Sequence, residues 1–494
     1  MMAVAKVLGI ETEYGVAGGP DGDPITASTL IVNAYAQHER RRVAWDFIDE
    51  TPGRDARATA SESFPPAIEI HLANTVLTNG ARLYVDHAHP EYSSPEVRTP
   101  LEAVLFDQAG EVVMRQAMET CNATFDPAHA IRLYKNNSDG KGNAYGTHEN
   151  YLVDRAVPFD DLVRGLLPHF VSRMVYCGAG KVGSETDESR GYGVTFQLSS
   201  RAEFFEEVVG LETTLKRPII NTRDEPHSDA EKYRRLHVIN GDATLSPVAT
   251  WLKVGTTSLL LSYIERHGVA ALPPVPARPV RAFRTFARDE SLRVTVPTSA
   301  GEWSALDYQE SIYELLEGYV EREGADDVAP LDEVRALLGE WRRSLDALAV
   351  SPDTLADTVD WIAKRRMIRA YQDRYQCDPL DARLRAIDLQ YADLRPERSL
   401  AGRARLRQLF SPTEIVTAAT APPRSTRAYF RGMCVERFSE SLVSANWDSL
   451  VFDVGDGPLQ RVAMMEPLRG TAALTESLFR SVSTASELVV ALNG

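Results

Sequence analysis

The sequence is poor in cysteine, has no long apolar run and has no excess of positive charge. Each of these features excludes a class of protein. The four cysteines stand far apart and form no CxxC pair, so they predict neither a disulfide framework nor a zinc knuckle. No window approaches the roughly 20 apolar residues that cross a bilayer. The apolar stretch at the N-terminus is too short for a signal peptide. We therefore expect a cytoplasmic protein with no membrane contact.

The balance of charge is acidic. The chain has 54 Lys and Arg against 70 Asp and Glu, a net charge of −16. Nucleic-acid binding depends on many cations that neutralise phosphates, so this balance argues against it. It does not exclude nucleotide binding, because a metal ion can bring a polyphosphate into an acidic pocket. The 44% hydrophobic and 25% charged content is typical of a globular protein with a large core.

Strand and helix patterns are mixed along the chain. Val7–Val16 and Ala81–Val85 have the character of strands, and Leu101–Cys121 has the spacing of a helix. From about 307 to 410 the apolar residues recur three and four positions apart, which predicts several helices. This order favours an α+β fold over a doubly wound sheet.

Two boundaries follow from composition. Paired prolines in Thr420–Arg424 end any helix, so we expect one large domain over 1–419 and a small C-terminal domain over 420–494. A polar, Arg-rich stretch at about 40–78 predicts a lid-like loop, since a loop of this length in a compact domain is usually functional.

The first candidate site lies in Gly9-Ile-Glu-Thr-Glu-Tyr-Gly15. In a strand, Glu11 and Glu13 share one face about 6.6 Å apart. Two carboxylates at this spacing favour a cation between them, and hard oxygen ligands suit Mg²⁺. A solvent-facing stripe of an edge strand would give the same pattern, so both interpretations stay open.

The second candidate lies in the segment from Arg82 to Glu96. Alternation places Arg82, Tyr84 and Asp86 on one face of a strand. The guanidinium of Arg82 could pair with a phosphate, and Glu91 could complete a metal site with Glu11. A solvated strand face is the alternative.

Histidines are the third set of candidates. His148 follows a glycine-rich loop and His237 lies in a strand-like run, so each could be a metal or phosphate ligand or a structural histidine. His87 and His89 lack further ligands in register for zinc, which favours a loop-shaping or hydrogen-bonding role. Gly178–Gly183 lacks the spacing of a Walker phosphate loop.

Four longer segments resemble the family of the Pup ligase and the Pup deamidase/depupylase. These are GIETEYG, NGARLYVDHAHPEYSSPE, KNNSDGKGNAYGTHENYLV and TLKRPIINTRDEPHSD. The resemblance covers nearly the whole chain. It implies a glutamine-synthetase-like catalytic domain, in which a curved, mostly antiparallel sheet forms a cradle for ATP and Mg²⁺, followed by a small C-terminal domain.

The resemblance also implies roles for individual residues. Glu11 and Glu91 match magnesium ligands with Tyr84 beside them, and Asp86 matches the catalytic aspartate. The other matches are of two kinds: further residues of the metal cradle (Glu13, His148 and His237) and nucleotide-contacting positions (Arg82, Ser94 and Trp447).

The two enzymes of this family do opposite chemistry. The motif from Tyr84 to Glu91 and the long connection between Glu11 and Asp86 resemble the deamidase. This implies hydrolysis of the terminal glutamine amide of Pup, or of the Pup–lysine bond in pupylated proteins, with the nucleotide as a cofactor that is not consumed in each turnover. Pup itself is expected to be small and acidic, and the enzyme to be a monomer. Pup ligation, or a related carboxylate–amine ligation, is the first alternative. A non-catalytic Pup-binding protein is the second.

Overall fold

The strands are short and come from all parts of the chain. A computed structural model describes residues 3–38, 43–48, 50–57, 73–185, 193–455 and 457–493. Its strands are β1 Leu8–Glu13, β2 Gly15–Ala17, β3 Ala44–Trp45, β4 Asn74–Val76, β5 Arg82–Asp86, β6 His89–Ser93, β7 Arg132–Tyr134, β8 Thr147–Asp154, β9 Lys181–Val182, β10 Phe196–Gln197, β11 Phe205–Gly210, β12 Arg217–Asn221, β13 Tyr233–Val238, β14 Thr295–Thr298, β15 Gly301–Ser304, β16 Leu442–Ala445, β17 Ser449–Phe452 and β18 Gln460–Ala463.

The longest described helix is α2, in the first quarter of the chain. The α-helices are α1 Pro24–His38, α2 Pro100–Asn122, α3 Phe159–Ser172, α4 Met174–Cys177, α5 Pro247–His267, α6 Pro279–Ala287, α7 Ala305–Glu323, α8 Leu331–Val350, α9 Asp360–Tyr375, α10 Ala382–Tyr391, α11 Ala401–Ala404, α12 Pro412–Thr420, α13 Ala428–Phe438, α14 Ala472–Ser481 and α15 Ala485–Asn493. In the described part of the chain, no helix has the length and apolarity needed to cross a bilayer.

The central sheet has six strands in the order β13-β8-β1-β6-β5-β4. Every neighbouring pair in it is antiparallel. Together with the helices, this sheet confirms the α+β prediction. β1 lies inside the sheet, between β6 and β8, so the face that carries Glu11 and Glu13 is not that of an edge strand.

The other face of the sheet packs against helices. Alternate residues such as Ile10, Leu83 and Tyr92 are buried there, and α2 packs against β1 and α5. Gly110 of α2 is required by this packing, because a Cβ at that position would lie 2.4 Å from the ring of Tyr92. Residues from Pro247 to Glu265 of α5 are all buried, which explains why that stretch has no polar face.

The C-terminal region forms a second, smaller core around α13 and the strands β16–β18. β3 joins this sheet by parallel pairing with β16. Val43 and Trp45 of the long loop therefore belong to this second core. The two cores are linked by Glu96, which forms ion pairs with Arg427 and Arg431.

Glu96 gives a prediction about stability. Burial alone would raise its pKa, but the charges of Arg431 and Arg427 lower the pKa of Glu96 to about 2 from an ordinary 4.5. A lowered pKa in the folded state stabilises the protein above pH 4.5, and this contribution is lost as the pH falls towards 2. It amounts to about 3 kcal/mol at neutral pH. We expect Glu96→Gln to lower the free energy of unfolding by that order at pH 7, as measured by urea titration.

The control is Glu476→Gln, which breaks the exposed pair between Glu476 and Arg424. Surface pairs are worth at most about 1 kcal/mol, so this variant should unfold almost like the wild type. The Glu96→Gln effect should shrink progressively below pH 4.5. Equal unfolding of the two variants at pH 7 would contradict the role of Glu96.

Candidate active site on the open face of the sheet

Polar side chains share one face of the central sheet because side chains alternate along each strand. Glu11 and Glu13 of β1 lie on this face. Strand pairing places Glu91 directly opposite Glu13 on one side and opposite Tyr84 on the other. Three neighbouring strands thus bring acidic and phenolic groups into one row across the sheet.

Three carboxylates form the first group of the site. Oxygen atoms of Glu13, Asp86 and Glu91 all lie within 4.8 Å of one another. Burial raises the pKa of Glu91 well above its ordinary value, and the negative charges of Asp86 and Glu13 add to this effect. Such a cluster is unfavourable without a positive charge. Hard carboxylate oxygens are the type of ligand that Mg²⁺ prefers.

Position 146, next to these three carboxylates, requires a glycine. The backbone N–H of Gly146 donates a 2.7 Å hydrogen bond to Oε1 of Glu13. A Cβ on Gly146 would lie 2.2 Å from Nε2 of His148 and 2.7 Å from that same oxygen. The missing side chain therefore makes room for two candidate ligands.

Glu11, His148 and His237 form the second group, again within 4.8 Å of one another. Burial alone would raise the pKa of Glu11, but the hydrogen bond with His148 and the nearby charge of Arg235 hold it well below its usual range. Burial and Arg235 lower the pKa of His237, which keeps its ring neutral. Nδ1 of His237 lies 2.9 Å from Asn150, and its buried Nε2 has no partner among the described residues.

The grouping differs from the pairing expected for the metal site. The prediction from the sequence places Glu11 and Glu91 in one metal site. In the structure, Glu11 is grouped with two histidines, and Glu91 with Glu13 and Asp86. The reason is the register of β1 and β6, which places Glu13 opposite Glu91 and Glu11 opposite Ser93. Two candidate cation positions result.

Arg82 is held by aromatic rings. Its guanidinium carbon lies 3.9 Å from the ring centre of Tyr84 and 4.2 Å from that of Trp45. Glu50 is 3.7 Å from the guanidinium and accepts a 2.6 Å hydrogen bond from the indole of Trp45. Arg82 therefore lies under the described part of the long loop.

A narrow slot of about 90 Å³ lies between the two cores. It is lined by Glu11, Ser94, Asn150, His227 and Trp447 among others. The hydroxyl of Ser94 accepts a 2.9 Å hydrogen bond from the backbone N–H of Ile10, which fixes it beside β1. Ser94 and Trp447, the predicted nucleotide-contacting residues, therefore line one cleft together with Glu11.

A larger cavity of about 1120 Å³ opens on the other side of the carboxylate group. Glu13, Asp86 and Arg201 line it. The side chain of Arg201 is buried, and its Nε and Nη1 have no partner among the described residues. Burial lowers the pKa of Arg201 to about 10. An arginine that is buried with unmet N–H groups is suited to bind an anionic group of a ligand.

A second cavity of about 520 Å³ shares His89, Tyr145 and Glu185 with the first. Arg385 and Leu389 of α10 line its far side. The two cavities therefore adjoin, one lined by α10 and the other by Asp86.

Several contacts of the site were not predicted from the sequence. Arg201 stands alone between small residues, and no motif marks it. Trp45 and Glu50, two partners of Arg82, come from the loop. Residues 40–42, 49 and 58–72 of the predicted lid lie outside the described residues. The backbones of Asp55 and Arg223 form an isolated antiparallel β-bridge, so the described part of the loop also contacts the segment after β12.

Comparison with known proteins gives the relatives of the chain. A family profile described as Pup-ligase protein matches residues 6–451. A protein named depupylase from Acidothermus cellulolyticus is 47% identical, over 99% of both chains. A Pup deamidase/depupylase from Mycolicibacterium smegmatis is 44% identical, over 98% of this chain and 99% of that one.

Solved structures give the same relationship. The complex of the prokaryotic ubiquitin-like protein Pup with its ligase PafA superposes with a TM-score of 0.80 at 27% identity, covering 97% of this chain and 92% of that one. The Pup ligase PafA in complex with ADP has a TM-score of 0.74 at 30% identity, covering 83% and 90%.

Proposed function

The chain belongs to the Pup-ligase protein family, and from this premise we propose that it is a nucleotide-dependent Pup deamidase and depupylase. It hydrolyses the side-chain amide of the C-terminal glutamine of Pup and the isopeptide bond between Pup and a lysine. The observation that carries the proposal is the position of Asp86, which belongs to the carboxylate group and lines the large cavity. A carboxylate beside candidate metal ligands and facing an open cavity is the arrangement that amide hydrolysis needs.

We propose that Mg²⁺ and ATP bind on the open face of the sheet. Glu13 and Glu91 would hold one ion beside Asp86, and Glu11, His148 and His237 a second. Two observations fit this assignment. Nε2 of His237 is buried without a hydrogen-bond partner among the described residues, and the raised pKa of Glu91 reflects negative charges that a cation would balance. When bound, the ions would neutralise phosphate charge and polarise a substrate oxygen. The ADP complex of the related PafA supports nucleotide binding.

Tyr84 and the slot residues have supporting roles in this proposal. The phenol of Tyr84 forms a hydrogen bond with Glu91 and so fixes the carboxylate that is proposed to bind the ion. Ser94 and Trp447 would hold the base and ribose in the slot. Arg82 would keep Tyr84 in place through their stacked contact and would pair with a phosphate of the nucleotide.

Asp86 performs the chemical step in one of two ways. Its carboxylate attacks the carbonyl carbon of the amide and forms a transient anhydride, or it takes a proton from an attacking water. In both cases the C–N bond breaks, and the nitrogen leaves as ammonia or as the lysine amine after gaining a proton. In the first route that proton comes from water, and a second water then cleaves the anhydride, which frees the glutamate carboxylate of Pup and restores Asp86. In the second route the hydroxyl of the attacking water stays on the carbonyl carbon, and the proton taken by Asp86 passes to the nitrogen. The N–H groups of Arg201 are placed to donate to negative charge in the same cavity.

A conjugate assay separates hydrolysis from ligation. Incubation of the protein with a purified Pup–lysine conjugate, ATP and Mg²⁺ should release free Pup. Incubation with glutamate-ending Pup and an acceptor protein should give no new conjugate. Conjugate formation without hydrolysis would instead mean that the chain is a Pup ligase.

We propose that Pup, expected to be acidic, docks on the helical hairpin of α9 and α10. The region 360–410 has 12 Lys and Arg against 7 Asp and Glu, so it is basic within an acidic chain. Tyr375, Leu380 and Leu389 are 42–48% exposed there. Apolar side chains among arginines suit an acidic segment that orders on binding. Arg385 and Leu389 also line the cavity that leads towards Asp86.

The double variant Arg374→Glu/Arg385→Glu tests this docking surface. We expect KM for Pup to rise about tenfold, with kcat at saturating Pup unchanged, because the binding charges lie away from the reacting groups. Steady-state kinetics at low and high salt measure the effect, which should weaken as salt screens the charges. Arg335→Glu/Arg480→Glu is the control at exposed positions elsewhere, and an equal rise in KM there would contradict a specific surface.

A further inference from the structure

His87 adopts an unusual backbone conformation next to Asp86. It is the first residue of the two-residue turn between β5 and β6, and its φ is +52°. This left-handed region suits glycine and costs other residues on the order of 1 kcal/mol or more. A histidine at this position therefore keeps a strained backbone where a glycine would not.

The strained turn brings the imidazole to the carboxylate of Asp86. Nδ1 of His87 lies 3.0 Å from Oδ1 of Asp86. The side chains are 60% and 35% exposed, respectively, and both residues line the large cavity. Because a carboxylate only accepts hydrogen bonds, this contact is favourable when Nδ1 of His87 carries the proton.

Each acid on β1 also has a histidine neighbour. His148 lies 3.4 Å from Glu11, and His89 lies 3.5 Å from Glu13. Those two histidines are strand residues, placed by sheet register. His87 reaches Asp86 only through the left-handed turn, and among the described residues it is the only ion-pair partner of Asp86.

Resting on the proposed function, we infer that His87 is a positioning residue for the hydrolysis. Its N–H holds Oδ1 of Asp86, so that Oδ2 is presented to the amide carbonyl or to the attacking water. Fixing the carboxylate before the substrate binds removes the cost of ordering it during the reaction. No proton leaves the imidazole in this role.

His87→Gly is the test that separates the imidazole from the backbone. Glycine fits the φ of this turn, so the variant should unfold at the same or a higher temperature than the wild type. We expect kcat for deamidation of glutamine-ending Pup to fall about 10- to 100-fold with KM unchanged. His87→Asn, which tolerates the left-handed region and keeps an N–H donor, should recover part of kcat.

His267→Gly is the matched control, because Nε2 of His267 also lies 3.1 Å from a carboxylate oxygen, that of Glu323, but at the end of α5 and outside the cavities described above. Its kcat should equal that of the wild type. Unchanged kcat in His87→Gly, a change confined to KM, or no recovery in His87→Asn would overturn the positioning role. A wild-type protein without turnover would refute the proposed function instead.

Discussion

Asp86→Asn is expected to lower the rate of both amide and isopeptide hydrolysis by about 10²- to 10⁴-fold. The amide of asparagine can neither attack the carbonyl carbon nor take a proton from water, although it fills the same space. KM for Pup should change little, because the docking surface that we propose for Pup lies away from the carboxylate. Single-turnover kinetics with glutamine-ending Pup, together with a direct Pup-binding titration, measure the two effects separately.

Asp154→Asn is the matched control for this variant. Asp154 ends β8 of the same sheet, and its carboxylate accepts a hydrogen bond from the backbone N–H of Ala156. The identical chemical change there should leave turnover near that of the wild type. Substantial residual cleavage by Asp86→Asn would remove Asp86 from the chemical step.

Glu91→Gln is expected to have the second-largest effect, and in two directions. It should stabilise the metal-free protein by on the order of 1 kcal/mol, since one of three crowded carboxylates loses its charge. It should also reduce turnover at least about a hundredfold, because a proposed ligand of the ion is lost. Thermal unfolding with and without Mg²⁺ should show that wild-type stabilisation by the ion is weakened or absent in the variant.

Glu333→Gln provides the comparison. Burial also raises the pKa of Glu333, but this residue lies on α8, where it caps the start of α2 through Leu101. Its replacement should leave the stabilisation by Mg²⁺ unchanged. A Glu91→Gln protein that is stabilised by Mg²⁺ as strongly as the wild type would show that Glu91 is not a ligand.

Local sequence patterns were enough to predict which residues of the candidate site share a strand face. The two-residue period of strands was enough to place Glu11 with Glu13 and to place Arg82, Tyr84 and Asp86 on one face, because alternation depends only on the chain itself. The strings around these residues also indicated the family. The antiparallel pairing of the central sheet agrees with the α+β expectation.

Contacts between distant segments could not be predicted in this way. The grouping of Glu91 with Glu13 depends on which residues face each other across β1 and β6, and a shift in register changes every such pair. Arg201 reaches the cavity from a segment with no recognisable motif. The cover over Arg82 comes from Trp45, whose strand pairs with β16 about 400 residues later in the chain.

The mass of glutamine-ending Pup after incubation with the protein tests the central claim most directly. With ATP and Mg²⁺ present, the terminal amide should be converted to the acid, and a chelator or omission of nucleotide should prevent the conversion. Pup that keeps its amide under all these conditions, with a folded and nucleotide-bound protein, would contradict the assignment of this site to amide hydrolysis.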